Sequence, residues 1–238
     1  MPYVSALDPG KKRDPAALAV LEQTQGPDPL CPGGVAWTYT LAGLEQYPLG
    51  TPYSTLGEEL GVGERVRDRF AGPPLSGSVV GVDATGVGEA VVDLLRSLRP
   101  ACVLVAVVIT GGEGTRRDGL TWHVAKSQLV SNFVRLHHSG RFKVPRGLAL
   151  KPLWDAQLAA FQEKQRPSGS LTWEAERESD HDDLVLAGMI AAWLGERAPP
   201  FRRGDVSTGW RQVSQLPAGV FMDRPYGEKG NRSLPGRW

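Results

Sequence analysis

The chain has little of what several protein classes require. Its 238 residues include only two cysteines, Cys31 and Cys102, whose separation follows no metal-binding pattern. This scarcity argues against a disulfide framework or a zinc ribbon and fits a reducing cytoplasm. The longest apolar runs, such as residues 101–110, are too short to span a bilayer. Met1-Pro2-Tyr3 leads directly into a mixed segment, so we expect no signal peptide and no membrane partner.

An excess of charge of one sign is also lacking. The chain has 27 Lys and Arg against 26 Asp and Glu, which gives a formal net charge of +1. A nucleic-acid-binding protein of this composition would therefore need its positive charge to be concentrated locally. The hydrophobic content of 41% is ordinary for a globular protein, and the length suffices for one substantial core.

The composition changes after Pro199-Pro200. Residues 197–238 are dominated by glycine, proline, serine and arginine, and they contain eight Lys or Arg against three Asp or Glu. We therefore predict a folded domain over residues 1–196, followed by a basic, weakly structured tail over residues 197–238.

The order of the predicted elements indicates an α/β fold. Apolar patterning predicts strands at residues 3–7, 16–23, 34–44, 78–83, 101–109 and 141–144, and helices at residues 53–70, 89–98, 126–138, 151–164 and 182–194. Glycines punctuate a predicted hairpin whose return arm is residues 120–124. Antiparallel opening strands followed by parallel strands and helices predict a mixed β-sheet with helices on both faces.

Acidic residues stand where these elements begin or end. Asp8 closes the first strand, Asp83 closes the fourth, and the acidic cluster of residues 180–183 precedes the last apolar helix. In a mixed sheet the two strand ends can lie side by side, and the last helix would bring its cluster to the same place. Acids packed this closely repel one another unless a cation or a helix N-terminus offsets the repulsion.

Three converging carboxylates would form a hard, oxygen-rich site. Mg²⁺ and Mn²⁺ prefer such ligands, whereas zinc prefers His or Cys. Two such ions ~4 Å apart can activate a water and stabilise a leaving oxygen during in-line phosphoryl transfer. The acids therefore favour metal-dependent chemistry on an anionic substrate.

Each acid also has a simpler interpretation. Asp8-Pro9-Gly10 could be only a turn, and Asp83 could cap the helix that follows it. Asp182 or Asp183 could likewise cap its own helix. A cap uses one acid, so capping alone does not explain the Asp-His-Asp-Asp cluster. The joint occurrence of the acids in the order strand, strand, helix is stronger than any single member.

Further polar residues are candidates for auxiliary roles. Asp14 could support the acids or merely start a turn before Pro15, and His181 could orient a carboxylate, bind a phosphate or fill space near the helix start. Basic residues could contact DNA phosphates, and we favour for this role Lys11, Lys12, Arg116, Arg117 and Lys126. The alternative for each of them is an ordinary solvated side chain.

With these residues in view, the chain resembles the nuclease domain of the large terminase subunit of tailed bacteriophages. The resembling segments are residues 6–10, 14–18, 44–53, 82–88, 109–113, 122–126 and 181–187. Their order is specific, although each motif alone is weak, and they span residue 3 to about residue 195.

The resemblance implies an RNase H-like fold and a metal-dependent endonuclease that cuts concatemeric viral DNA during packaging. It implies that Asp8 and Asp83 are metal ligands and that the third ligand comes from the His-Asp-Asp motif, where Asp183 is favoured over Asp182. Asp14 would support them, and the hairpin of residues 109–124 would lie beside the active site. The implied cofactor is Mg²⁺ or Mn²⁺, with two ions expected.

The resemblance also implies double-stranded DNA as a partner. A portal protein, a small terminase subunit and a packaging ATPase are further candidates, in the cytoplasm of an infected or lysogenic bacterial host. A full large terminase carries a packaging ATPase, but this chain has no G-x-x-x-x-G-K-[ST] phosphate loop. We therefore expect either a nuclease domain taken from a longer protein or a protein encoded without its motor.

Three other functions compete with this one. Another RNase H-like nuclease, such as a Holliday-junction resolvase, would share the acids and differ in substrate geometry. An actin-like or sugar kinase would explain Asp8-Pro-Gly and Asp83-Ala-Thr-Gly as phosphate loops, but such folds usually need two large lobes. A non-catalytic module that binds DNA or a portal would keep its binding after loss of Asp8 or Asp83.

Overall fold

The computed structural model describes residues 3–10, 14–57, 78–86, 88–97, 102–165, 171–175 and 182–197. The strands are β1 Tyr3–Asp8, β2 Ala17–Pro27, β3 Val35–Gln46, β4 Val79–Asp83, β5 Val103–Thr110, β6 Thr115–Asp118, β7 Thr121–Ala125, β8 Phe142–Lys143, β9 Phe161–Gln165 and β10 Leu171–Ala175. The helices are α1 Tyr53–Gly57, α2 Gly88–Ser97, α3 Lys126–His138, α4 Lys151–Ala160 and α5 Asp183–Gly195.

Eight of these strands form one mixed sheet in the order β6-β7-β5-β4-β1-β2-β3-β8. The opening strands β1, β2 and β3 are antiparallel, as predicted. The strands β1, β4, β5 and β7 then run parallel to one another, while β6 is antiparallel to β7 and β8 is parallel to β3. The predicted mixed sheet is therefore confirmed.

Side chains that alternate along the strands face two hydrophobic cores, one on each side of the sheet. Val4 and Ala6 of β1 belong to the core that contains α3, α4 and α5, whereas Leu7 points to the core that contains α2. In β4, Val79 belongs to the first core and Val82 to the second. Since successive strand residues face opposite sides of a sheet, helices cover both faces, as the sequence predicts.

Helix α5 is the centre of the larger core. All 13 of its residues are buried, as expected of a helix that is apolar on every side. It lies against β1, β2, β3 and β4 on one side and against α3 and α4 on the other. Trp193 also packs edge-to-face on Trp122 of β7, with ring centroids 5.2 Å apart.

Three glycines allow α5 to approach its neighbours closely. A Cβ at Gly81 of β4 would lie 2.5 Å from Leu194 Cδ1. A Cβ at Gly188 would collide with the ring of Trp154, and one at Gly195 would collide with the ring of Tyr39. The position of α5 is therefore fixed by contacts that leave no room for an added methyl group.

The C-terminal end of α5 is held by a polar network centred on Glu196. Its carboxylate accepts hydrogen bonds from Tyr39 Oη at 2.8 Å, Arg135 Nη2 at 2.6 Å and Arg141 Nη2 at 2.5 Å. Arg141 Nε also donates to the carbonyl of Trp37 at 2.7 Å. Burial and the neighbouring Glu196 carboxylate both raise the pKa of Tyr39, which keeps its hydroxyl a donor. The network ties α5 to β3 and to the end of α3.

The predicted hairpin of residues 111–124 is present as β6 and β7. Its return arm has a further role, because β7 pairs in parallel with β5, with Val107 opposite Trp122. Strand β6 consequently lies at the edge of the sheet, and β7 directs Ala125 and the start of α3 to the edge where β1, β4 and β5 end.

Two details of the prediction for residues 151–175 are wrong. The helix predicted over residues 151–164 ends at Ala160, and β9 follows it at once, paired antiparallel with β10, which the sequence did not predict. Phe161 has φ −78° and ψ 105°, which is extended backbone. Gln, Glu and Lys in residues 162–165 favour helix locally, but pairing with the β-favouring Leu-Thr-Trp of residues 171–173 overrides that preference.

Several predictions fall outside the described residues. The helix predicted over residues 53–70 is described as far as Gly57, and Lys11, Lys12, His181 and residues 198–238 of the predicted tail also lie outside. In the part of the chain that the structure does describe, no helix is long and apolar enough to cross a membrane.

We predict that Gly188→Ala destabilises the protein by about 1–3 kcal/mol, the usual cost of overpacking a core. Helix propensity alone would give the opposite sign, because Ala is ~1 kcal/mol better than Gly inside a helix. Thermal unfolding measures the change. Gly147→Ala is the matched control, since a Cβ there meets nothing within 4 Å. Equal melting temperatures for the two variants would contradict the close α4–α5 packing.

Candidate metal centre

The sheet places Asp8 and Asp83 next to each other. Strands β1 and β4 run parallel with Leu7 opposite Val82, and the two acids are the next residues on each strand. Asp8 lies on the same side of β1 as Ala6, and Asp83 on the same side of β4 as Gly81, which contacts α5. Both acids therefore lie at the carboxyl ends of their strands, on the face covered by α5.

A tight turn follows Asp8. Its Oδ1 accepts a hydrogen bond from the N–H of Gly10 at 3.2 Å. Gly10 has φ +65°, and a Cβ there would lie 2.5 Å from the carbonyl oxygen of Asp14. Only glycine fits this turn without strain. The turn predicted for Asp8-Pro9-Gly10 is thus present. Its hydrogen bond to Gly10 uses Oδ1 of Asp8 and not Oδ2.

Asp83 forms a similar turn with the residues after it. Its Oδ1 accepts from the N–H of Thr85 at 2.8 Å, and Thr85 Oγ1 accepts from the N–H of Ile109 at 2.8 Å. The loop after β4 is thereby joined to the end of β5. Helix α2 begins only at Gly88, so Asp83 is not its N-cap, and that simpler interpretation is wrong.

The two acids of the helix have different surroundings. Asp183 lies in the first turn of α5 and is only 5% exposed. Asp182 occupies the N-cap position, but its side chain makes no capping hydrogen bond. Its Oδ2 lies 3.6 Å from Nζ of Lys126, with both side chains 23% exposed. Successive helical residues point about 100° apart, so the two carboxylates face different neighbours.

Electrostatics show that these acids share one environment. The pKa of Asp8 is raised well above its usual range, first by burial and then by the negative charges of Asp83, Asp183 and Asp182. The N–H of Gly10 partly opposes this shift. Like charges raise a carboxyl pKa only when they are close, so the four carboxylates gather at one end of α5.

The donor set fits a hard divalent cation. Carboxylates from two strand ends and a helix start are the ligands that Mg²⁺ and Mn²⁺ prefer, and a dication would relieve the repulsion that raises the pKa of Asp8. Among the residues whose positions the structure gives, no three His, Cys, Asp or Glu side chains are already arranged to hold an ion.

The other predicted site residues lie at different distances from this centre. Asp14 places its backbone carbonyl against Gly10, beside the turn that follows Asp8. Lys126 begins α3 directly after β7, and its Nζ lies 5.4 Å from the ring centroid of Phe161 as well as near Asp182. These two residues border the acids.

The arginines of β6 lie on the edge strand of the sheet, three strands from Asp83. The exposed Arg116 has Nη2 3.4 Å from Nε2 of His123. Arg117 Nε donates to the carbonyl of Gly119 at 2.9 Å, and its guanidinium lies 5.5 Å from the ring centroid of Trp122. Through the pairings of β6 with β7, of β7 with β5 and of β5 with β4, Arg117 lies at the same level along the strands as Asp83, three strands away. The DNA-binding role of both arginines stays a prediction.

Sequence reasoning missed Gln157. This residue of α4 is 4% exposed, and its Oε1 accepts a hydrogen bond from the N–H of Leu184 at 3.0 Å. Leu184 is the residue after Asp183. The available signal was a single polar residue three positions after Trp154, on the buried side of α4.

Comparison with solved structures shows which fold this is. The large terminase nuclease from thermophilic phage G20c has a TM-score of 0.52 and 22% identity, and the match covers 79% of this chain and 80% of that one. The same nuclease with bound magnesium gives 0.51 and 22%, covering 80% and 79%. The large terminase nuclease domain of Thermus phage P74-26 gives 0.52 and 19%, covering 84% and 83%.

At these identities the likeness establishes the fold. The mixed sheet and its helices have a fold similar to that of terminase nuclease domains. No protein-family model matches the sequence, and the comparison with curated proteins finds no match.

We predict that Asp8→Asn stabilises the protein in the presence of a chelator. A raised carboxyl pKa means that the folded state holds its proton to higher pH than the unfolded state. Stability is therefore lost as pH rises through that interval, and the full penalty is present above it. Asn removes the charge and keeps an oxygen that can accept from Gly10.

At pH 8 the melting temperature of Asp8→Asn should exceed that of the wild type by about 3 °C, equivalent to ~1 kcal/mol for a chain of this size. The difference should shrink at about pH 4, near the ordinary carboxyl pKa. Asp93→Asn is the control, because this acid of α2 has a side chain 71% exposed. A lower melting temperature for Asp8→Asn at pH 8 would contradict the account.

Proposed function

We propose that this chain is a metal-dependent DNA endonuclease, the nuclease domain of a large terminase, which cuts concatemeric viral DNA during packaging. One observation carries the proposal: Asp8, Asp83 and Asp183 gather at one edge of an RNase H-like sheet, and the charges of the other two raise the pKa of Asp8. The magnesium bound by the similar G20c nuclease supports it.

In this proposal Asp8, Asp83 and Asp183 hold Mg²⁺ or Mn²⁺. The chemistry that two such ions supply when bound is activation of a water and stabilisation of the leaving oxygen in phosphodiester hydrolysis. The carboxylate of Asp183 lies at the N-terminus of α5, whose partial positive charge favours anions. Asp182 stands beside the metal ligands with Lys126 as its counter-charge.

The remaining predicted residues complete the proposed site. Asp14 and His181 would support the carboxylates. Lys126 would contact a DNA phosphate at the edge of the acidic centre, and Lys11, Lys12, Arg116 and Arg117 would extend that contact along the duplex. Since these contacts go to the backbone, we expect little sequence preference in cleavage.

The proposed setting is the cytoplasm of an infected or lysogenic bacterial host. Double-stranded DNA is the proposed substrate, and a portal protein, a small terminase subunit and a packaging ATPase are the proposed partners. The sequence carries no G-x-x-x-x-G-K-[ST] motif, so the energy for DNA translocation would have to come from outside these 238 residues.

The direct test is cleavage of supercoiled plasmid DNA with Mn²⁺ or Mg²⁺. We expect the wild type to cut, and Asp83→Ala and Asp183→Ala to cut more slowly by roughly 100-fold or more. Losing one contact to the transition state already costs ~10²–10³ in rate, and a missing metal ligand removes more than one such contact.

Asp93→Ala is the matched control, because it removes an exposed acid of α2 that pairs with Arg96 in an i, i+3 arrangement. Its cleavage should equal that of the wild type. If Asp83→Ala and Asp183→Ala also cleave at the wild-type rate, the catalytic assignment is wrong. If the wild type and the variants all bind DNA but none of them cleaves it, the chain is a binding module instead.

A second prediction concerns Lys126. If its ammonium contacts a phosphate, Lys126→Gln should weaken DNA binding and lower the slope of log affinity against log salt by about 1. Arg96→Gln is the control, since Arg96 lies in the last turn of α2, on the other face of the sheet. Fluorescence anisotropy over a salt series measures both. An unchanged salt slope for Lys126→Gln would remove this residue from the DNA interface.

A further inference from the structure

A contact between two helices determines how α5 begins. Gln157 of α4 is almost fully buried, and its Oε1 accepts a hydrogen bond from the N–H of Leu184 at 3.0 Å. The nearby collision that a Cβ at Gly188 would make with Trp154 shows that α4 and α5 touch closely here. The hydrogen bond therefore forms inside a well-packed region rather than at the surface.

This bond replaces an ordinary helix cap. The first N–H groups of a helix have no partner within the helix, and a side chain at the N-cap position usually accepts from one of them. Asp182 occupies that position without making such a bond, and the first intrahelical hydrogen bond runs from Leu186 N–H to the carbonyl of Asp182 at 2.8 Å. Gln157 supplies the missing acceptor from another helix.

The capped N–H is one covalent step from the proposed metal ligand. The peptide group between Asp183 and Leu184 is planar, so a hydrogen bond to the N–H of Leu184 also fixes the plane that holds the carbonyl of Asp183. The backbone from which the Asp183 carboxylate projects is thereby held in one orientation. The amide of Gln157 cannot be reversed, because its NH₂ group would then face an N–H donor.

We propose that Gln157 is a positioning residue that holds Asp183 in the orientation required for metal binding. The inference rests on the proposed nuclease function and adds to it a residue that touches neither metal nor DNA. Residues that orient the ligands of a metal typically affect metal affinity or activity by about 10–100-fold when they are changed. The bond also frees the carboxylate of Asp182 from capping, so that it can face Lys126.

The chain offers a matched control at the other end of α5. Gln23 of β2 is also almost fully buried, and its Nε2 donates to the carbonyl of Gly195 at 3.5 Å. Gln157 and Gln23 thus bond to opposite ends of the same helix. Substituting Met for either retains length and approximate volume but removes the polar bond. Both variants should lose stability, and only Gln157→Met should disturb Asp183.

The experiment measures Mn²⁺ affinity by calorimetric titration, plasmid cleavage as kcat and KM, and hydrogen exchange in the segment 183–187. For Gln157→Met we expect Mn²⁺ affinity and kcat to fall about tenfold each, KM for DNA to stay within about twofold, and exchange in that segment to accelerate. For Gln23→Met we expect metal affinity, kcat and exchange there to stay within about twofold of the wild type.

Gln157→Glu tests the acceptor itself, because a carboxyl group, ionised or protonated, still offers an oxygen to Leu184. Hydrogen exchange in the segment 183–187 should be no faster than in the wild type, and the Mn²⁺ affinity should be no weaker. Should Gln157→Met not fold, Gln157→Asn replaces it with the same expectation, since shortening the side chain withdraws the oxygen.

Two failures can be told apart. If the wild type cleaves and depends on Asp83, but Gln157→Met matches Gln23→Met in metal affinity and kcat, then only the role of Gln157 is overturned. The same holds if Gln157→Glu loses as much as Gln157→Met. If the wild type neither binds Mn²⁺ nor depends on Asp83 for cleavage, the proposed function itself fails.

Discussion

The rest of the structure depends on the packing of α5 against the sheet. After its first residue, Asp183, the helix is apolar and it is buried on all sides, so burial of its surface drives the assembly of the larger core. Gly81 and Gly188 bring it so close to β4 and α4 that an added methyl group would collide. The Glu196 network holds one end of the helix, and Gln157 caps the other. A helix fixed at both ends and along its length delivers its first residue, Asp183, to one place.

That place is electrostatically unfavourable without a cation. Asp8 and Asp83 are brought together by the parallel pairing of β1 and β4, and Asp183 adds a third buried or half-buried carboxylate. The stability of the core compensates for this repulsion, a pattern typical of functional sites. Lys126 partly neutralises Asp182, which leaves the repulsion concentrated on the other three acids. Their arrangement therefore favours a dication, and in the proposed site Asp183 would face the metal while Asp182 faces Lys126.

Much of this was predictable from the chain, since the signals were local. Strand runs that end in Asp8 and Asp83 and an unbroken apolar helix after Asp183 suffice to predict a mixed sheet with acids at one edge. Other features depend on residues far apart in sequence. The cap from Gln157 exists only because α4 packs on α5, and the hairpin of residues 161–175 forms by pairing that overrides local helix preference.

The central claim is that these three carboxylates bind the catalytic metal, and anomalous diffraction from crystals soaked in Mn²⁺ tests it most directly. The account predicts anomalous density for manganese within about 2.5 Å of carboxylate oxygens of Asp8, Asp83 and Asp183. It also predicts that this density is lost in Asp83→Ala crystals. Manganese bound elsewhere, or density that is unchanged in Asp83→Ala, would contradict the account.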